Sequence, residues 1–140
     1  MIDGERTLFG SPLISSYLTA TYLKDVAEEA IPFENRATRR NRCWVDALIL
    51  ETIESIANTL VTVRLLQIED EAAVPFMQRQ HLRIEYCLDW LEEGITPDGF
   101  WTGRFSLMDI GIMCPLIYGE YRDVFDFRTG QWLKITNMID

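Results

Sequence analysis

Three polar side chains fall at helical spacing on one long and otherwise apolar segment. Glu51, Glu54 and Asn58 occupy positions i, i+3 and i+7, which lie on one face of an α-helix. The row has two interpretations. The first is structural: the row is a solvated helix face or takes part in a helix–helix ion pair. The second is functional: the row is a carboxylate site that holds an amine or a guanidinium across a cleft or a dimer interface.

The remaining reactive residue types are few and widely separated. The single histidine, His81, lies among apolar residues at helical spacing, which favours a hydrogen-bonded core histidine, with a catalytic base as the alternative. Cys43, Cys87 and Cys114 are odd in number and far apart, which favours free thiols in a reducing compartment. The sequence contains no Glu-x-x-His, Cys-x-x-Cys or phosphate-loop pattern, so we expect no metal cofactor.

Composition excludes several classes of partner. The 140 residues are 48% hydrophobic and 25% charged, as in an ordinary soluble domain. The formal charge of −9 argues against nucleic acid and against an anionic membrane surface. The longest nearly apolar run, Ile110–Tyr118, is far shorter than the ~20 residues that span a bilayer, and the first residues lack the apolar core of a secretory signal. We therefore expect a cytoplasmic protein without nucleic-acid or membrane partners.

Apolar residues recur at helical spacing along the chain, with no run of strand alternation. Ser106 and Asp109 have the spacing of a capping box, and the helix that they begin contains Pro115. The sequence predicts an all-α bundle of four or five helices. The expected helices are 11 to about 26, 36 or 38 to 67, 74 to 91, one that starts at 106, and 131 to 139, with a loop from Glu92 to Trp101.

Two groups of residues resemble signatures of the glutathione S-transferase family. The segment Leu8–Leu18 resembles Leu-x-Glu-Ser-x-x-Ile-x-x-Tyr-Leu, which ends that family's thioredoxin-like half. Pro32, Arg36 and Ala37 are similar to its interdomain linker. The other signature is matched by Leu88, Leu91 and Glu92 together with the segment Phe100–Ile110. These residues resemble Leu-x-x-Leu-Glu followed by Phe-x-x-Gly-x-x-x-Ser-x-x-Asp-Ile. The resemblance implies a remnant of the thioredoxin-like domain in residues 1–30 and a helical C-terminal domain of the transferase type in residues 31–140.

The resemblance also implies roles for single residues. Ser11 matches the serine that holds the γ-glutamyl carboxylate of glutathione, although Gly10 replaces the glutamate that precedes it in the family. Glu54 matches an acidic residue that reaches the amine of glutathione bound to the partner subunit. Ser106 and Asp109 match a folding determinant with a structural capping role. None of these matches is a catalytic residue.

The resemblance further leads us to expect a truncated transferase-like protein. The family's catalytic residue and its cis-proline precede the segment that Leu8–Leu18 matches. We therefore expect that the chain alone does not conjugate glutathione, which would be the substrate of a complete protein. Its helical domain would instead offer an apolar surface to a small molecule or to a dimer partner.

Self-association is expected on physical grounds and from the resemblance. The long second helix is apolar on more than one side, and excess apolar surface marks an interface. The family dimerises through the helices matched here by residues 36–67 and 74–91, which would place Glu51 and Glu54 opposite Arg64 or Arg79 of a second copy. Two other functions are alternatives to the truncated transferase-like protein. One is a non-catalytic interaction module, of the kind attached to translation factors and aminoacyl-tRNA synthetases, and the other is an unrelated four-helix ligand carrier.

Overall fold

The computed structural model describes residues 1–22, 43–68, 74–100 and 105–140. These residues form a two-stranded hairpin and five helices, which confirms the all-α prediction. The elements are β1 (Ile2–Asp3), β2 (Arg6–Thr7), α1 (Ser11–Tyr22), α2 (Cys43–Ile68), α3 (Val74–Gly94), α4 (Leu107–Tyr121) and α5 (Leu133–Ile139). The predicted start of the second helix and the domain boundary expected between residues 30 and 31 lie outside the described residues.

The core of the bundle lies between α2, α3 and α4. Helix α2 packs against both α3 and α4, and α5 packs against α3. The apolar residues recur every three or four positions on each helix, so that they line one face. At Gly119 the backbone of α4 lies against the Leu60 side chain of α2, because an added Cβ would lie 3.1 Å from a methyl carbon of Leu60. The most deeply buried helical side chains are Ile56, Leu60, Val63, Ile84, Leu88, Leu91, Met108, Ile112, Leu116 and Ile135.

A buried capping box starts α4. The Ser106 hydroxyl oxygen accepts a hydrogen bond from the Asp109 amide at 3.3 Å, and Asp109 Oδ2 accepts one from the Ser106 amide at 2.6 Å. The Ser106 hydroxyl also donates to Oδ2 at 2.5 Å. The predicted structural role of this pair is therefore confirmed. In addition, Asp109 Oδ1 accepts a hydrogen bond from the Phe100 amide at 2.9 Å, which joins the preceding loop to α4.

The loop before α4 requires a glycine at one position. Thr96 and Gly99 exchange two backbone hydrogen bonds of 3.0 Å, and Gly99 has a φ of 95°, in the region that other residues disfavour. An added Cβ there would lie 2.5 Å from Asp109 Oδ1. The turn therefore places the backbone of Gly99 directly against the buried carboxylate.

Helix α5 is capped by a side chain of another helix. Its N-cap residue, Trp132, makes no side-chain capping bond. Instead the Glu92 carboxylate accepts the amides of Lys134 at 2.7 Å and Ile135 at 3.0 Å, and the Trp132 indole donates to Asp89 at 2.8 Å. The predicted loop from Glu92 was wrong at its start, because α3 continues to Gly94 and keeps Glu92 beside α5.

The hairpin is attached to α1 rather than to the core. The hydroxyls of Tyr17 and Tyr22 donate to the Asp3 carboxylate at 2.6 and 2.7 Å, and Arg6 donates to the Tyr17 oxygen at 3.1 Å. No side chain described in α1 is buried, and Leu13 is 56% exposed. The described side chains of α1 are thus less deeply buried than the core side chains of α2, α3 and α4.

We predict that Asp109→Ala lowers the free energy of unfolding by about 2 to 4 kcal/mol. The change removes the cap and leaves the buried amides of Phe100 and Ser106 without an acceptor, at roughly 1–3 kcal/mol each. Chemical denaturation monitored by circular dichroism measures the difference. Asp98→Ala is the matched control, because Asp98 is exposed and close in sequence. An unchanged midpoint for Asp109→Ala would contradict the prediction.

We predict that Asp3 titrates below its ordinary pKa of 3.8. Hydrogen bonds from Tyr17, and next from Tyr22, favour the ionised form and lower the pKa of this carboxyl. The attachment of the hairpin to α1 is therefore at full strength above pH 3.8 and is lost as the pH falls through the lowered pKa. Carbon-13 NMR titration of Asp3 tests this, with the double variant Tyr17→Phe, Tyr22→Phe as control. A value at or above 3.8 in the parent chain would contradict it.

Candidate functional site

An apolar cavity lies between α2 and α4 in the described part of the chain, and we call it the α2–α4 cleft. Its volume is about 440 Å³. Apolar side chains from both helices form most of its walls, and α1 contributes Ser15 at one side. The described lining consists of Ser15, Leu50, Ile53, Glu54, Ala57, Val61, Leu107, Ile110, Gly111, Cys114, Pro115 and Tyr118.

The cleft exists because small residues let α4 approach α2 at its floor. At Gly111 an added Cβ would lie 3.5 Å from a methyl carbon of Ile53, and Ile53 itself is buried. Val61, which also lines the cleft, remains 46% exposed. Among the described lining residues, Glu54 alone carries a formal charge at neutral pH.

A second, polar cavity of about 330 Å³ lies between α2 and α3, and we call it the α2–α3 groove. Arg83 crosses it, and its Nε donates to the Ser55 hydroxyl at 3.1 Å. The hydroxyls of Thr59 and Thr62 are occupied by backbone carbonyls of their own helix, at 2.7 and 2.8 Å. The described lining consists of Glu51, Glu54, Ser55, Asn58, Thr59, Thr62, Gln80 and Arg83.

The row predicted from spacing is therefore brought together. Glu51, Glu54 and Asn58 all line the α2–α3 groove, and Glu54 also lines the α2–α4 cleft. Ser11, the other residue expected to bind glutathione, begins α1, and Ser15 lies one turn later in the lining of the cleft. Ser106 and Asp109 are buried under the loop before α4 and line neither cavity.

The thiol of Cys87 is poorly suited to act as a nucleophile. Its partial burial raises the pKa, and this outweighs the opposing effects of a hydrogen bond from Ser55 and of the Arg83 charge. Because the thiolate is the reactive form, this cysteine is protonated at neutral pH. Cys87 and Cys114 are both free thiols, as the sequence predicted for them. The side chain of Cys43 lies outside the described part of the structure.

His81 differs from the core histidine that was expected. It is half-buried, and its ring packs edge-on against Phe125 with centroids 6.1 Å apart. Its Nε2 atom is buried and has no hydrogen-bond partner among the described residues, so the predicted hydrogen bond is not found at this nitrogen. His81 lines neither the cleft nor the groove, so it does not face either of the two described cavities.

Sequence reasoning missed the wall that α4 contributes to the cleft. The run Ile110–Tyr118 is apolar on all sides, although only one face of a helix can pack against α2 and α3. Its small members Gly111 and Cys114 fall on neighbouring turns. An apolar run wider than one packing face was the signal for a second, uncovered surface on α4.

Within the described ranges, no three His, Cys, Asp or Glu side chains are grouped closely enough to hold a metal ion. No helix in those ranges is long and apolar enough to cross a bilayer. Comparison of the chain with protein-family models, curated proteins and solved structures finds no match. The resemblance to glutathione S-transferases rests on the sequence motifs given above, and the two cavities supply the physical basis for a function.

Proposed function

We propose that this chain is a transferase-like helical binding protein that holds an apolar small molecule in the α2–α4 cleft. The observation that carries the proposal is the lining of the cleft, which is apolar except for Glu54 and a few hydroxyl and thiol groups. Small-molecule sites are concave, of roughly 300–1,000 Å³, and mostly apolar with a small number of polar groups. The volume of about 440 Å³ lies within that range.

The proposal assigns binding rather than catalysis to the cleft. Cys114 is the only thiol in its described lining, and activation of a thiol requires a neighbouring cation or base. The described lining contains no lysine, arginine or histidine that could serve as that cation or base. Binding of glutathione at Ser11 and Glu54 stays a prediction from the family resemblance, and it concerns a complete protein with a thioredoxin-like half.

We predict that the parent chain binds a neutral apolar dye such as N-phenyl-1-naphthylamine, and that Cys114→Trp weakens binding at least tenfold. The indole would fill the space between α4 and α2, whereas Cys114 is exposed and can be enlarged without disturbing the core. A tenfold loss corresponds to about 1.4 kcal/mol. Fluorescence titration measures both dissociation constants.

Leu133→Trp is the control for this experiment, because Leu133 is 59% exposed on α5 and lies outside the lining of the cleft. It is expected to bind the dye like the parent chain. Equal weakening by both substitutions, or no binding by the parent chain, would overturn the proposal.

A second candidate function, self-association, is favoured by a row of exposed apolar side chains on α3. Leu82, Tyr86 and Trp90 are 47, 70 and 41% exposed, and their spacing of four residues places them on one face of the helix. Aromatic residues of this kind are enriched at protein interfaces. Their joint exposure on the outer face of α3 is unusual for a surface without a partner.

The charges beside this row suit a second copy of the same chain. Helix α2 presents Glu51 and Glu54, and the neighbouring α3 presents Arg79 and Arg83. A two-fold axis makes a surface pack against itself, so the acidic α2 of each copy can lie opposite the basic α3 of the other. We therefore propose a homodimer through α2 and α3, in which Arg79 or Arg64 of one copy pairs with the exposed Glu51 of the other.

We predict a dimer mass for the parent chain in sedimentation equilibrium at micromolar concentration, and a monomer mass for Tyr86→Glu. The substitution places a charge in the apolar row without touching the core, since Tyr86 is 70% exposed. Leu133→Glu, at an exposed position on α5, is the control and should remain dimeric. A monomeric parent chain would contradict the homodimer.

A further inference from the structure

Glu54 has an unusual position, because it borders both cavities. It belongs to the described lining of the apolar α2–α4 cleft and of the polar α2–α3 groove. Its side chain is half-buried, and neither a hydrogen bond nor an ion pair joins it to another described residue. A carboxylate at the edge of an apolar cleft can accept a charge-assisted hydrogen bond from a ligand cation.

The described cleft has no basic residue near Glu54, and the groove side of Glu54 adds an acidic and an amide side chain. The described lining of the cleft contains no lysine, arginine or histidine. Glu51 lies one turn before Glu54 on the same face, and Asn58 lies one turn after it with an amide oxygen that can accept a hydrogen bond. The chain as a whole carries a formal charge of −9, which favours the approach of cations.

We infer that the natural ligand of the cleft is an amphipathic amine, with its apolar body in the cleft and its ammonium group on Glu54. This inference rests on the proposed binding function and names the chemical class of the ligand. An ammonium–carboxylate pair is a charge-assisted hydrogen bond, stronger than a bond between neutral groups. A ligand that carried a carboxylate at the same end would instead be repelled by Glu54.

Arg83 limits how far the positive group can extend. It lies across the α2–α3 groove, where its Nε donates to the Ser55 hydroxyl at 3.1 Å. A cation that passed beyond Glu54 into the groove would meet this guanidinium. The geometry therefore favours one compact ammonium group at the edge of the apolar cleft, and disfavours a polyamine that continues into the groove.

The test uses three ligands with one apolar body: 2-naphthylmethylamine, 2-naphthylmethanol and 2-naphthoate. Calorimetric titration, or displacement of the neutral dye, gives the three dissociation constants. The amine is expected to bind about fivefold more tightly than the alcohol, as for one partly exposed ion pair, and the carboxylate more weakly than the alcohol. The preference for the amine should decrease as salt is added.

Glu54→Gln should bring the ratio between alcohol and amine affinities close to one. Glu93→Gln, which removes a carboxylate at an exposed position near the end of α3, should leave that ratio as in the parent chain. If the alcohol binds but the amine binds no tighter, or if Glu54→Gln keeps the preference, the amine inference is wrong while the apolar binding function stands. If none of the three ligands binds, both are wrong.

Discussion

The buried carboxylate of Asp109 is the interaction on which the arrangement of the helices depends. It closes the first turn of α4 through Ser106 and holds the preceding loop through the Phe100 amide. Because α4 begins there, the same contacts fix where Gly111 meets Ile53 of α2. The Asp109 carboxylate therefore fixes the position of the α4 wall, although Asp109 does not line the cleft. Gly99 leaves room for this carboxylate because it has no Cβ.

Helix α2 separates two surfaces of opposite character. On one side it packs against α3 with the polar groove between them, and on the other it packs against α4 beside the apolar cleft. Glu54 lies where the two surfaces meet. An apolar ligand with a single positive group fits this boundary better than a purely apolar or a purely polar one, because each part of it finds a complementary surface.

The sequence predicted the features that depend on neighbours along the chain. The capping box of Ser106 and Asp109 spans three residues, and the Glu51–Asn58 row lies on one helix, so spacing alone identifies both. The bond from Phe100 to Asp109 and the capping of α5 by Glu92 join separate elements, and no periodicity encodes such contacts. The cleft could not be predicted either, because it depends on which side of α4 stays uncovered.

The central claim is that the space between α2 and α4 is a ligand site. NMR chemical-shift mapping with 2-naphthylmethylamine on isotope-labelled protein tests it most directly. We expect the largest amide shifts at Leu50, Glu54, Gly111 and Cys114, which belong to two helices that are remote in sequence. Shifts confined to the exposed row of α3, or scattered evenly over the chain, would contradict it.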